Sequence, residues 1–180
     1  MSNPKQGTIN PRKNSIEKME TKVEIATIEN LKDIQGLNKI LFDEEFAQYD
    51  QTINCDWTLS EEGKNHYKEK ITGENNCAFV LKSENEVIGY LVGSLSDAEF
   101  YRNIESFAEL DDMFVLKQFR NGGQGGKLYN AFIDWCETKG VKRIKVVASA
   151  KNAQAINFYR KKGFLDYSVT LEADLDKIKK

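Results

Sequence analysis

The stretch that most constrains this chain is residues 109–126, ELDDMFVLKQFRNGGQGG. Residues 110–116 have the apolar character of a strand, and a short turn then leads into a glycine-rich helix start. Helical spacing continues behind it in Leu128, Phe132 and Trp135. Gly122, Gly123, Gly125 and Gly126 therefore fall where a first helical turn carries N–H groups with no intrahelical partner. Glycine removes the side-chain wall there, and the helix N-terminus adds partial positive charge, so the usual ligand of such a device is a phosphate. A tight strand-to-helix connection without a ligand is the alternative reading of the same residues.

Two common phosphate loops do not match. A Walker A loop needs glycine where Asn121 stands and Ser or Thr where Leu128 stands. The dinucleotide fingerprint, begun at Gly123, also meets Leu128 where it needs glycine. Arg120-x-x-Gly123-x-Gly125 instead resembles the arginine/glutamine-x-x-Gly-x-Gly/Ala signature of the GNAT N-acetyltransferase superfamily, which cradles the pyrophosphate of acetyl-CoA. A second element is similar to the segment that closes the cofactor site in that family: Asn152, Ala155, Ile156, Phe158, Tyr159, Gly163 and Phe164 in matching register. The resemblance is strong over residues 107–164 and looser upstream. Gln124 departs from it, standing where the family usually carries an apolar residue; the main-chain donors are unaffected.

A chain of 180 residues is long enough for one domain with a core and does not require two. A net charge of −2 argues against nucleic-acid binding, which wants a basic face. Apolar runs fall far short of a membrane span, and the N-terminus lacks a signal-peptide core. Cys55, Cys77 and Cys136 are odd in number and lack CxxC spacing, which predicts reduced thiols in a cytoplasmic protein without a metal site. His66 lies in a polar helical pattern and reads as a surface residue.

Residues 1–20 are polar, hold Pro4 and Pro11 and show no apolar periodicity, so they read as a flexible leader to a single domain over residues 21–180. Strands are predicted over residues 22–27, 77–82, 86–95, 110–116 and 143–148, with Gly89 and Gly93 weakening the third. Helical spacing in Leu31, Ile34, Leu37 and Leu41 follows Asn30 as a cap, and a second helix runs from Ser60 to a stop at Gly73. A final strand follows the Asn152 helix. The residues alone support an α/β fold with a mixed sheet. The resemblance implies the GNAT (acyl-CoA N-acyltransferase) fold, a mixed central sheet of six to seven strands flanked by about four helices and splayed where the cofactor enters.

Charge divides the chain. Residues 117–162 hold eleven Lys/Arg against two acids, Asp134 and Glu137, in the half that would hold an anionic cofactor. Between Lys39 and Lys64 stand seven acids and no base, in the region where the family places acceptor specificity. That division suits an anionic donor and a cationic amine acceptor; a solvated acidic surface is the plainer alternative. Asp43, Glu44, Tyr49, Asp56 and Trp57 are the candidate acceptor residues.

Amide formation needs a group to take a proton from the acceptor ammonium. Strand alternation places Glu109, Asp111, Met113 and Val115 on one face, with Asp112 and Phe114 on the other. By resemblance Asp111 is the first candidate base and Glu109 the second, while Tyr159 protonates the departing thiolate of CoA. The resemblance further implies that Met113, Phe114 and Val115 line the cofactor through their main chain. The loop Arg120, Asn121, Gly122, Gly123, Gln124, Gly125, Gly126 and Lys127 would then hold the pyrophosphate, with Asn152, Phe158, Tyr159 and Lys162 around the rest. Tyr159 as a core aromatic and Lys162 as a complement to its helix dipole are the structural alternatives. The implied activity is direct acetyl transfer from acetyl-CoA to a small cationic amine such as a polyamine or aminoglycoside. A peptide or protein amine, or a non-catalytic acetyl-CoA-binding regulatory module, is the runner-up. No nucleic-acid or membrane partner is expected, and a homodimer is common in the family.

Overall fold

The computed structural model describes residues 20–98 and 100–178. Most of the expected leader therefore lies outside the described residues. The two runs flanking the turn at Glu84 form β2 (Asn76–Ser83) and β3 (Glu86–Ser96), an antiparallel hairpin. β1 (Thr21–Ile25) adds antiparallel to β2, pairing Thr21 with Ser83. β4 (Phe107–Val115) adds antiparallel to β3, and β5 (Arg143–Val146) lies parallel to β4. The order is β1-β2-β3-β4-β5.

Alternation sends successive side chains of this sheet into two cores. On one face Ala78, Val80, Tyr90, Val92 and Phe114 pack under α1 (Leu31–Gln48) and α2 (Glu61–Thr72), which contribute Leu31, Ile34, Leu37 and Tyr67. On the other, Phe79, Leu81, Leu91, Leu110 and Val115 pack under α3 (Gln124–Thr138) and α4 (Ala153–Lys161), which contribute Leu128, Phe132, Cys136 and Tyr159. Ser60 caps α2, its Oγ accepting from the Gly63 N–H. Asn30 does not cap α1 with its side chain; its Oδ1 instead accepts from the Thr27 N–H at 3.1 Å.

Five strands form among the described residues, where the resemblance implied six to seven. The expected strand after α4 does not form: residues 165–174, although strand-like in sequence, join no ladder.

Gly89 and Gly93 do more than loosen β3. A Cβ on Gly93 would stand 2.5 Å from the Phe132 ring and 2.9 Å from the Glu109 carbonyl oxygen, and one on Gly89 would stand 2.7 Å from the Phe114 carbonyl oxygen. These bare positions let β4 and α3 close onto the strand. Gly93→Ala is expected to destabilise the fold by about 1–3 kcal/mol, the cost of overpacking a filled core. A lowered urea midpoint with unchanged m-value checks this.

Candidate active site

The end of β4 leads through a single 3₁₀ turn (Lys117–Phe119) to Asn121 at φ 67° and Gly123 at φ 88°. These two left-handed residues aim the chain so that α3 starts at Gln124, and no side chain caps it. A Cβ at Gly125 would meet nothing nearer than the Phe158 ring at 3.8 Å, and one at Gly126 only the Lys162 Nζ at 3.9 Å. The first turn of a 15-residue helix therefore offers open N–H groups with an ammonium beside them. The Gln124 Oε1 is buried there without a hydrogen-bond partner. Open donors and positive charge together fit an anionic, phosphorylated ligand.

Two basic residues of this loop are occupied within the chain. The Arg120 Nε donates to the Val115 carbonyl at 2.7 Å, and its guanidinium lies 4.9 Å over the Phe114 ring. One of its amino groups donates to both Glu44 carboxylate oxygens, at 2.8 and 3.1 Å. Glu44, a candidate acceptor residue, thus ties α1 to the glycine loop. Lys127 extends to β1, donating to the carbonyl oxygen and Oγ1 of Thr21, both at 2.8 Å.

β5 pairs with Phe107–Leu110 only, so the edge of β4 from Asp111 to Val115 has no strand against it on that side. That is the splay the resemblance implied. The strand-face expectation is corrected here. Val92 lies opposite Asp112 while the next residue, Gly93, lies opposite Leu110. Asp111 is thus the extra residue of a β-bulge, and the alternation slips by one position. Glu109, Asp111 and Asp112 all turn toward the α1–α2 side with Phe114, whereas Met113 and Val115 join the α3–α4 core.

The three carboxylates differ in their partners. Asp111 accepts from the Lys70 ammonium at 2.7 Å and the Ser94 hydroxyl at 3.0 Å. Glu109 accepts from the Lys145 ammonium at 3.0 Å. Asp112 has no lysine or arginine paired to it among the described residues; its Oδ2 accepts from the Tyr67 hydroxyl at 2.9 Å and, at a longer 3.5 Å, from the Asn38 amide. That amide also donates to the Tyr90 hydroxyl at 2.8 Å, and the Asn38 Oδ1 accepts from the Thr58 hydroxyl. Burial above all, with Asp111 adding to it, pushes the Asp112 carboxyl up to about 6, against the pull of the Tyr67 hydrogen bond. Glu45 of α1 is pushed up as well, by burial first and then by Asp112.

Sequence reasoning did not single out Asp112, Glu45, Tyr67 or Asn38. The one available signal was Gly93, since glycine inside a strand marks a bulge in its pairing. His66 is also corrected: it is half-buried, with its ring 5.4 Å from Trp57 and 5.0 Å from Tyr67, and burial lowers its pKa.

Tyr159 is buried on α4 between the rings of Phe158 and Phe164, at 5.2 and 5.5 Å. Burial first, then the Asp112 charge, raise its phenol well above the ordinary range, so it keeps its proton. Asn152 caps α4, its Oδ1 accepting from the Ala155 N–H at 3.0 Å. Of the remaining acceptor candidates, Asp43 is paired with Lys39 and exposed Asp56 stands just before a 3₁₀ turn. Tyr49 accepts from Lys151 at its carbonyl, and Trp57 packs between Phe42 and Tyr67.

Comparison with known proteins gives a consistent placement. Residues 33–164 match the Acetyltransferase (GNAT) family. An uncharacterized N-acetyltransferase of Methanocaldococcus jannaschii is 30% identical over 115 residues, covering 59% of this chain and 51% of the relative. The chain thus spans about half the length of that curated relative. Among solved structures, a tetramutant of the BH1408 protein from Bacillus halodurans superposes with a TM-score of 0.70 at 19% identity, covering 85% of this chain and 99% of that one. The aminoglycoside N-acetyltransferase AAC(6')-Iy in complex with CoA gives 0.69 at 18%, covering 86% and 94%. An aminoglycoside acetyltransferase from an uncultured soil metagenomic sample, in complex with trehalose, gives 0.65 at 22%, covering 89% and 99%. At these identities the likeness is one of fold.

Proposed function

The chain belongs to the acetyltransferase (GNAT) family, and from that premise we propose that it transfers an acetyl group from acetyl-CoA to a primary amine of a small cationic acceptor. The observation that carries the acceptor side is Asp112, a partly buried carboxylate held by hydroxyl and amide groups and by no cation, beside the open edge of β4. Glu45 and the acids of α1 make the same side of the sheet suit an ammonium. Solved aminoglycoside acetyltransferases with this fold support the class of acceptor.

Acetyl-CoA, when bound, supplies the acetyl group as an activated thioester. The first-turn N–H groups of α3, with Lys162, would hold its phosphates. Asn152, Phe158 and main chain from Met113 to Val115 would line the rest. Asp112 takes the proton from the acceptor ammonium, because a carboxyl titrating near 6 is mostly ionised at neutral pH and is a stronger base than an ordinary aspartate. Asp111 and Glu109, the candidates by resemblance, share that face and are each paired with a lysine, which leaves Asp112 as the base. Tyr159 keeps its proton, and its hydroxyl would donate a hydrogen bond to the departing sulfur. Tyr67 and Asn38 fix the Asp112 carboxylate in place. Arg120 shapes the loop through Glu44 and Val115. Three free thiols, two of them buried, suit the reducing conditions of a cytoplasmic enzyme.

The test is CoA release with acetyl-CoA and a panel of polyamines, aminoglycosides, amino acids and short lysine peptides. Turnover with a polycation, falling as salt rises, is the expected result. Tight acetyl-CoA binding with no turnover on any amine would replace this reading with that of a cofactor-binding regulatory module.

A further inference from the structure

The first half of α1 is held by the core, and its second half is held in another way. Leu31, Ile34, Leu37 and Asn38 are buried, whereas no residue of the helix after Asn38 is. Leu41 packs at the margin of the core, and Phe46 is 41% exposed. A helix end with so little burial opens readily unless polar contacts fix it. Two cations from distant parts of the chain supply them. Arg120 donates through one amino group to both carboxylate oxygens of Glu44. Lys151 donates to the carbonyl oxygen of Tyr49, the C-cap of α1, at 3.1 Å.

Both cations belong to the segments that would hold the donor. Arg120 stands three residues before Gly123, the N-cap of α3, and Lys151 directly precedes Asn152, the N-cap of α4. The end of α1 therefore spans from one donor-binding segment to the other. The same helix carries two groups toward the acceptor side. The Asn38 amide reaches Asp112 at 3.5 Å, and the Glu45 carboxyl feels the Asp112 charge. Glu45 follows Glu44 directly, so the contact that fixes Glu44 also fixes where Glu45 stands.

Arg120 is fully engaged by these contacts: its Nε on Val115, its plane over the Phe114 ring and an amino group on Glu44. A phosphate arriving at the first turn of α3 thus meets a guanidinium that a carboxylate already neutralises. We propose that Glu44 is a positioning residue with two linked effects. It holds the second half of α1, and Glu45 with it, against Asp112, and it does so by withholding Arg120 from the donor phosphates. Glu44 acts through Arg120 and does not itself touch the amine. The second effect rests on reading the start of α3 as the donor phosphate site.

Glu44→Gln tests both effects. The amide keeps one acceptor oxygen and turns donors toward a guanidinium that has only donors, so the two-bond pair is lost. Hydrogen exchange over residues 42–50 should then speed up by at least about 10-fold, with residues 31–38 unchanged. The freed guanidinium should tighten CoA binding, read by titration calorimetry, by at least about threefold, and by more at low salt. Lys151→Gln is the control. It loosens the same stretch and removes a positive charge, so its CoA affinity should not rise. Unchanged exchange in Glu44→Gln overturns the positioning role. Equal or weaker CoA binding overturns the withholding of Arg120, and so does an equal gain in Lys151→Gln. If no form binds CoA, the donor reading falls and takes the second effect with it, while the exchange result still decides the first.

Discussion

Asp112→Asn should lower turnover by at least about 100-fold, the usual contribution of a positioned general base, with little change in acceptor KM. The amide keeps the hydrogen bond from Tyr67 and the shape of the side chain, and loses only the ability to take a proton. In the wild type the rate should fall as pH drops below about 6, where Asp112 becomes protonated. The groups facing Asp112 are Tyr67 and Lys70 from α2, Asn38 and Glu45 from α1, Tyr90 from β3, and Asp111 beside it. Lys70 lowers the midpoint and Asp111 raises it, so Asp111→Asn should move the acid limb to lower pH. Loss of folding would not mimic this result. A carboxyl whose pKa is higher folded than unfolded opposes folding once it ionises above its unfolded pKa, so the asparagine variant should be at least as stable at neutral pH. Stopped turnover with an intact thermal transition is the expected pair of observations. Unchanged kcat and an unchanged acid limb would remove Asp112 from the reaction.

Gly126→Glu should abolish donor binding and leave the fold alone. Beyond its own helix and chain neighbours, the nearest atom to a Cβ there among the described residues is the Lys162 Nζ at 3.9 Å, so the side chain has room. A carboxylate in the first turn of α3 complements the helix dipole and should stabilise the helix by roughly 0.3–1 kcal/mol. The same charge repels a phosphate at that turn by about 4 kcal/mol at 4 Å in a partly solvated site, and it also engages Lys162. A loss of at least about 100-fold in acetyl-CoA affinity is the expected result. It is read as a ligand-induced rise in Tm that the wild type shows and the variant lacks. An equal rise in both proteins would mean that the anion sits elsewhere.

The two experiments address features that differed in how far they could be read in advance. The glycine loop was legible because everything it needs lies within a few residues: a strand end, left-handed positions and an uncapped helix start. Asn152 was legible for the same reason, a cap and its N–H being three positions apart. The faces of β4 came out differently. Alternation assumed a regular β4, whereas the ladder slips at Val92 and Gly93, and Gly93 is bare because Phe132 of α3 fills the space beside it. That one bulge turns Asp111 toward Lys70 and leaves Asp112 to Tyr67.

By itself, then, the sequence determined the class of fold, the glycine-rich turn into α3 and the family, since these rest on local spacing and on the polarity of single segments. Tertiary structure alone decided which carboxylate stays free. Lys70 is 41 positions from Asp111, Lys145 is 36 from Glu109 and Tyr67 is 45 from Asp112. The partner that neutralises or spares a charge is chosen by packing across the sheet, and a one-residue slip in register is enough to change it.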